Sequence, residues 1–253
     1  MKSRQKILLP LLTFGVVILL WQTVASLGIY RPHELPSPGS VFSGILELAR
    51  TGALWEHIGV SMYRFLAGYL VAAVIAIPLG LISGWYRPLW ISIDPLVQIL
   101  RPISPIAWFP LVGLWFGIGD LPAMFIIFMA AFYPILLSTV SAVKNVDAVY
   151  LKVARNFGSS QKHILWKVVI PASFPFMIMG LRMALGTAWV FLVAGEMMGV
   201  RSGLGFLIVD ARNILRTELV IAGMLIIGVL GLLLDRLIGW FEKKINLRWG
   251  MAP

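Results

Sequence analysis

The chain has 253 residues, 59% hydrophobic and 13% charged, with a net charge of +10, a mean hydropathy of +0.90 and no cysteine. A soluble domain carries about a quarter charged residues, so a water-soluble globule is excluded. Zero cysteines exclude a disulfide-stapled scaffold, an iron–sulfur protein and a thiolate nucleophile, and three scattered histidines argue against a histidine-rich metal site. A membrane protein is what remains.

A bilayer crossing needs about 20 mostly apolar residues. Residues 7–27 form the first such run, behind Lys2, Arg4 and Lys6. A basic start before an apolar run also describes a signal peptide, but this run is longer than a usual signal core and further apolar segments follow, which favours an uncleaved first span. The next runs are 58–85, 105–119, 121–143, 172–198 and 219–240. Pro95, Pro102, Pro105 and Pro110 interrupt the stretch 89–115, which is expected to form an interfacial helix, a break and a short span. Between the first two spans, residues 28–57 carry Pro32, Pro36 and Pro38 and a short amphipathic stretch at 41–49, a cap too small to be a second domain. One transmembrane domain over residues 1–253 is expected, all-α with about six transmembrane helices.

Six spans put both ends on one side. With the amino terminus inside, fourteen of the 21 Lys and Arg residues fall in inner segments, and Arg31, Arg50, Arg201, Arg212 and Arg216 in outer ones. The positive-inside rule therefore predicts N-in and C-in. The same dispersal accounts for the net charge through topology and anionic lipid, with no nucleic-acid-binding motif in evidence.

The most informative segment is the inner loop at 144–171, which holds KNVDAVYLKVARNFGSSQKHILWKVVIP after the fourth span. Val146, Val149, Tyr150, Val153, Ala154 and Phe157 fall at helical spacing on one face, with Asp147, Lys152, Arg155 and Asn156 elsewhere. Gly158 permits the left-handed turn that ends a helix, Ser159 or Ser160 can cap a second, and Pro171 marks the junction with the fifth span. Two short helices meeting at a glycine make a knob suited to a partner's groove. On periodicity alone, an amphipathic pair lying on the inner leaflet is an equal alternative.

Ionisable residues at membrane depth invite functional suspicion. Glu196 and Arg182 lie 14 residues apart in the fifth span, about 21 Å along a helix, so they cannot pair within it. Glu196 is expected to bond to a neighbouring helix or line a pathway. Arg64 and Arg101 are placed near membrane edges, where snorkelling would satisfy them. The break at Arg101, Pro102, Ile103, Ser104 and Pro105 frees backbone groups that tolerate membrane depth only when buried or facing a cavity. It makes Arg101, Ser104, Trp108 and Phe109, with Glu196, the pathway candidates, against a plain re-entrant turn anchored by tryptophan. Glycines 80 and 84, and 113 and 117, allow close helix approach. Glycines in 199–205 would let that segment dip back after the fifth span. No phosphate-binding loop, HExxH or GxSxG motif occurs, so no catalytic or metal site is expected.

From Lys152, Val153 and Ala154 through Gly158 to Val168, Ile170 and Pro171, the loop resembles the EAA motif of ABC importer permeases, E-A-A-x-x-x-G followed nine residues on by I-x-L-P. Ala154, Gly158 and Pro171 match, and Val168 and Ile170 are conservative. Lys152 reverses the charge of the motif's glutamate, and Val153 replaces its first alanine. The stretches LPSPGSVF, SMYRFLAGY, DPLVQILRPISPIAWFPLVGLWFGIGD and VAGEMMGVRSGLGFLI resemble the nitrate, sulfonate, taurine and bicarbonate branch of the same permeases. The resemblance implies a type I importer permease in the bacterial inner membrane, paired with a second copy. It also implies two cytoplasmic ATPase subunits that carry ATP and magnesium and grip this coupling loop, and an external solute-binding protein that delivers a small anion. No cofactor is expected on this chain itself. The rivals are a secondary transporter, which predicts inverted repeats and mid-membrane acids, and a membrane-embedded enzyme, which requires a converging catalytic set.

Overall fold

The computed structural model describes residues 3–31 and 33–248, so Lys2 and Pro32 lie outside it. Among the described residues there are helices and no strands. Among the described residues, five helices are long and apolar enough to cross a membrane, and a bent pair makes a sixth if counted as one span. The chain falls into two compact units, Met1–Val60 with Ser202–Gly228, and Ser61–Arg201 with Val229–Pro253.

The first unit begins with α1 (Ser3–Ser26), none of whose apolar window is buried, as suits a helix facing lipid. Its Trp21 indole donates to the Pro36 carbonyl at 3.0 Å. Helix α2 (Pro38–Arg50) starts at Ser37, whose hydroxyl accepts from the Ser40 amide, with proline at the first helical position. Val41, Gly44 and Leu48 form its buried stripe. A Cβ on Gly44 would lie 2.9 Å from Leu219, near the start of α11 (Thr217–Arg248), so glycine sets how closely these helices approach. Arg216 then bonds both carboxylate oxygens of Glu47 and one of Glu218. Those bonds hold the Glu47 carboxyl below its ordinary range, so the pair persists at neutral pH and is lost only as acid titrates through that lowered value.

Between the fifth and sixth spans lies α10 (Leu204–Asn213), which ends in a Schellman turn. The Arg216 amide donates to Ala211 and the Leu215 amide to Arg212. Leu215 occupies the left-handed position that glycine usually fills, at φ 58°, and is the only non-glycine residue with positive φ among those described. Its side chain is 72% exposed, so little packing offsets the strain. Leu215→Gly is expected to stabilise the chain by about 1 kcal/mol. The check is a raised thermal midpoint in detergent; a lowered one would mean the side chain contributes more than the turn costs.

The second unit is built on α3 (Ala53–Trp85) from Ser61 onward, α6 (Asp120–Lys144) and α9 (Ile170–Gly199). Gly68, Ala72, Ala76, Gly80 and Gly84 recur every fourth residue, a small-residue stripe along α3. A Cβ on Gly68, Gly80 or Gly84 would meet Met124, Thr139 or Val143 of α6 at 2.6–2.7 Å, so the stripe seats one helix on the other within the chain. Gly113 meets nothing within 4 Å, and no such packing role falls to the pair 113 and 117.

The proline-rich stretch resolves as α4 (Arg87–Leu100), a four-residue 3-10 turn (Pro105–Trp108) and α5 (Phe109–Phe116), bent by 86° at the break. The expected short span at 105–119 is therefore not a crossing by itself but one arm of the bent pair, which makes the sixth span when counted as one. Eight α-helical residues rise about 12 Å and four of 3-10 helix about 8 Å, short of a hydrocarbon core about 30 Å thick.

Candidate functional site

After α6 the chain turns at Asn145 and Val146 and enters α7 (Ala148–Asn156), whose N-cap Asp147 accepts from the Val149 amide at 2.8 Å. Its end is a complete Schellman turn: Ser159 donates to Ala154, Gly158 donates to Arg155, and Gly158 sits at φ 74°. Of the two serines proposed as caps, Ser160 takes the role, accepting from the His163 amide.

The second helix differs from expectation. The short α8 (Gln161–Ile164) continues through a π-helical turn (Leu165–Val169) straight into α9, giving one rod from Gln161 to Gly199. Pro171 interrupts nothing. It lacks an N–H and would crowd a carbonyl one α-turn back, and the widened turn, in which Ile170 donates to Leu165, accommodates that defect inside the helix.

The faces of α7 also divide differently from the single apolar stripe. Leu151 and Ala154 pack with Val146, Leu165 and Val168 against the cluster of Val143, Ile164 and Val169, while Ile170 and Pro171 are half-buried at the rod's root. Val149, Tyr150, Val153 and Phe157 stay outside, 48–86% exposed. Lys152, Arg155, Gly158 and His163 are exposed as well. Four large apolar side chains held in the open on a capped helix form a contact surface with no partner among the described residues.

The pathway candidates separate. Arg101 and Ser104 are exposed at the break. Phe109 closes over Gly199, where a Cβ would come within 2.9 Å of its ring, and the two line an open cavity of about 290 Å³ with Met198, Val200 and Arg201. Trp108 does not line that cavity, and its indole nitrogen is buried with no hydrogen-bond partner among the described residues.

Glu196 lies elsewhere, in a buried cluster. Arg64 is 2% exposed and its Nη1 meets Glu196 at 2.8 Å, while Nε and Nη2 reach Asp120 at 2.8 and 2.6 Å. The Ser61 hydroxyl sits 2.8 Å from both Glu196 oxygens. Arg64 is thus not a snorkelling edge residue but the cation joining α3, α6 and α9. Burial of one charge beside its partner, with hydrogen bonds on the remaining atoms, is what makes such a site tolerable in a low-dielectric interior. Arg182 does not pair with Glu196, as the spacing required. It bonds Asp235 and Glu242, a turn or two apart on α11, with its guanidinium over Gly239.

Sequence spacing could not find the role of Asp120 or Ser61, because both act across helices. The signal that was available is the scarcity of charge within spans: an arginine and a glutamate in separate apolar runs imply a mutual partner.

Comparison with known proteins accords with this architecture. Residues 76–247 match the family described as binding-protein-dependent transport system inner membrane component. A putative ABC transporter permease protein of Methanocaldococcus jannaschii is 42% identical, over 94% of this chain and 90% of that one. The taurine transport system permease protein of Escherichia coli is 34% identical over 96% and 90%. The bicarbonate transport system permease protein of Synechococcus elongatus is 36% identical over 96% and 92%. The fold is similar to that in an inward-facing structure of the MetNI methionine ABC transporter, with a TM-score of 0.63, 18% identity, and coverage of 77% of this chain and 95% of that one. The chain belongs to the binding-protein-dependent transport system inner membrane components, and within them to the ABC permeases of the taurine, sulfonate and bicarbonate branch.

Proposed function

We propose that this chain is the membrane conduit of an ATP-driven importer for a small anion such as taurine, another sulfonate, nitrate or bicarbonate. The observation that carries the coupling is the open apolar face of α7. Two cytoplasmic ATPase subunits, holding ATP and magnesium, receive that face. A second copy of the chain completes the pathway, and an external solute-binding protein delivers the solute. The termini lie inside, in keeping with the distribution of Lys and Arg. The class of solute is supported by what the taurine and bicarbonate relatives are named for.

Transduction follows from the rod that begins beside α7. Gln161–Gly199 spans 39 residues, about 58 Å at 1.5 Å per residue. Leu165, Val168 and Val169 pack at its root with α7, and Glu196 near its far end is bound to Arg64. Closing of the ATPase pair displaces α7, and the rod carries that displacement to the opposite membrane face. Phe109 and Gly199, with Arg101 and Ser104 at the break, are the proposed pathway segment. Differential binding of two packings supplies the switch, since ATP is bound at the partner and favours one of them.

Gly158→Pro tests the coupling. Proline cannot adopt φ 74° and removes the amide that bonds Arg155. The variant should still insert, because α7 lies outside the spans, yet lose co-purification with the ATPase subunit and substrate-stimulated ATP turnover. Unchanged complex formation with unchanged turnover would refute the docking role.

A further inference from the structure

At 100° per residue the surface of α7 divides into three sectors. Leu151 and Ala154 face the body of the protein. Val149 and Val153, with Tyr150 and Phe157 beside them, form the open apolar sector. Lys152, Arg155 and Asn156 form the third sector, and all three are exposed. No acidic residue occurs between Ala148 and Ile170, while Lys162 and Lys167 add to the positive charge. The nearest acid, Asp147, is engaged with the Val149 amide.

This asymmetry has a consequence for the partner. A helix lying on a bilayer centres its apolar sector between basic flanks whose stems reach up to the headgroups on both sides. Here the basic residues occupy one flank only, and the other is closed by the body of the protein. Resting on the coupling proposed above, we infer that the groove of the ATPase subunit receiving α7 combines an apolar pocket for Phe157 with an acidic edge facing Lys152 and Arg155. The apolar contact supplies affinity, and the charged edge selects which ATPase binds and in which register, since a basic edge there would be repelled.

The test uses the full chain co-expressed with the ATPase subunit encoded nearest to it, in nanodiscs of neutral or phosphatidylglycerol-containing lipid. The double reversal Lys152→Glu with Arg155→Glu should lower ATPase retention about tenfold or more at low salt in both lipids, and wild-type retention should fall as salt rises to about 0.5 M. A single acid-to-lysine change on the ATPase groove should restore part of the retention in the reversed variant. If reversal leaves retention within about twofold of wild type while Phe157→Ala lowers it, the acidic edge is refuted and the docking reading stands. If Phe157→Ala and Gly158→Pro also leave retention unchanged, the docking reading itself fails. A reversal effect confined to the anionic nanodiscs would assign the basic flank to lipid and overturn the inference.

Discussion

Replacing Arg64 by methionine is expected to destabilise the chain by about 3–5 kcal/mol, because it removes one partner of a buried ion pair and leaves the other charge in the interior. The side chain removed is 2% exposed, and Glu196 would lose its charged bond to Arg64 at 2.8 Å. Glu196→Gln should cost less, since Arg64 retains Asp120, whose side chain is half exposed and sits in the first turn of α6, where the helix dipole favours a negative charge. Combining Arg64→Met with Glu196→Gln should recover much of the loss, because a neutral amide can still accept from Ser61 and the one carboxylate that loses its partner, Asp120, is half exposed. Thermal midpoints in detergent, with the yield of monodisperse protein, provide the measurement. A single Arg64→Met variant within about 1 kcal/mol of wild type would show that the cluster contributes little.

The second large effect concerns the contact between α6 and α9. A Cβ built on Gly180 lies 1.9 Å from the Ser138 hydroxyl oxygen and 2.3 Å from the Ser138 Cβ. The hydroxyl can rotate away, but the Cβ cannot, so Gly180→Ala must push the two helices apart. Close packing is what holds helices together where lipid removes most of the hydrophobic drive, and an overpacked interface costs about 1–3 kcal/mol. Ser138→Gly removes both clashing atoms. The pair Gly180→Ala with Ser138→Gly should therefore be more stable than Gly180→Ala alone, although Ser138→Gly by itself loses some helix propensity. Strictly additive losses in that cycle would mean the helices adjust without contact at this point.

Much of the fold was legible before any coordinates. The first, second, fourth, fifth and sixth apolar runs each correspond to a long helix, because crossing a bilayer forces length and hydrophobicity into the local sequence. The turn at Gly158 was legible for a similar reason, since a left-handed residue at a helix end is a local steric demand. The region around residues 101–119 was only partly legible. Prolines announce a break, but they do not set the 86° bend.

The amino-acid sequence by itself determined that this is a helical membrane permease, where its long apolar helices lie along the chain, and that a capped amphipathic segment follows the span ending at Lys144. Composition and periodicity are properties of neighbouring residues, and the bilayer constrains them directly. Tertiary structure alone decided that Arg64 is the buried partner of Glu196 and Asp120, that α8 fuses with the fifth span through a π-turn, and that Ala154 turns inward while Val149, Val153 and Phe157 remain open. Each of these depends on which helix stands beside which. A charge in an apolar run states that a partner is required, and only the packing of helices supplies its identity.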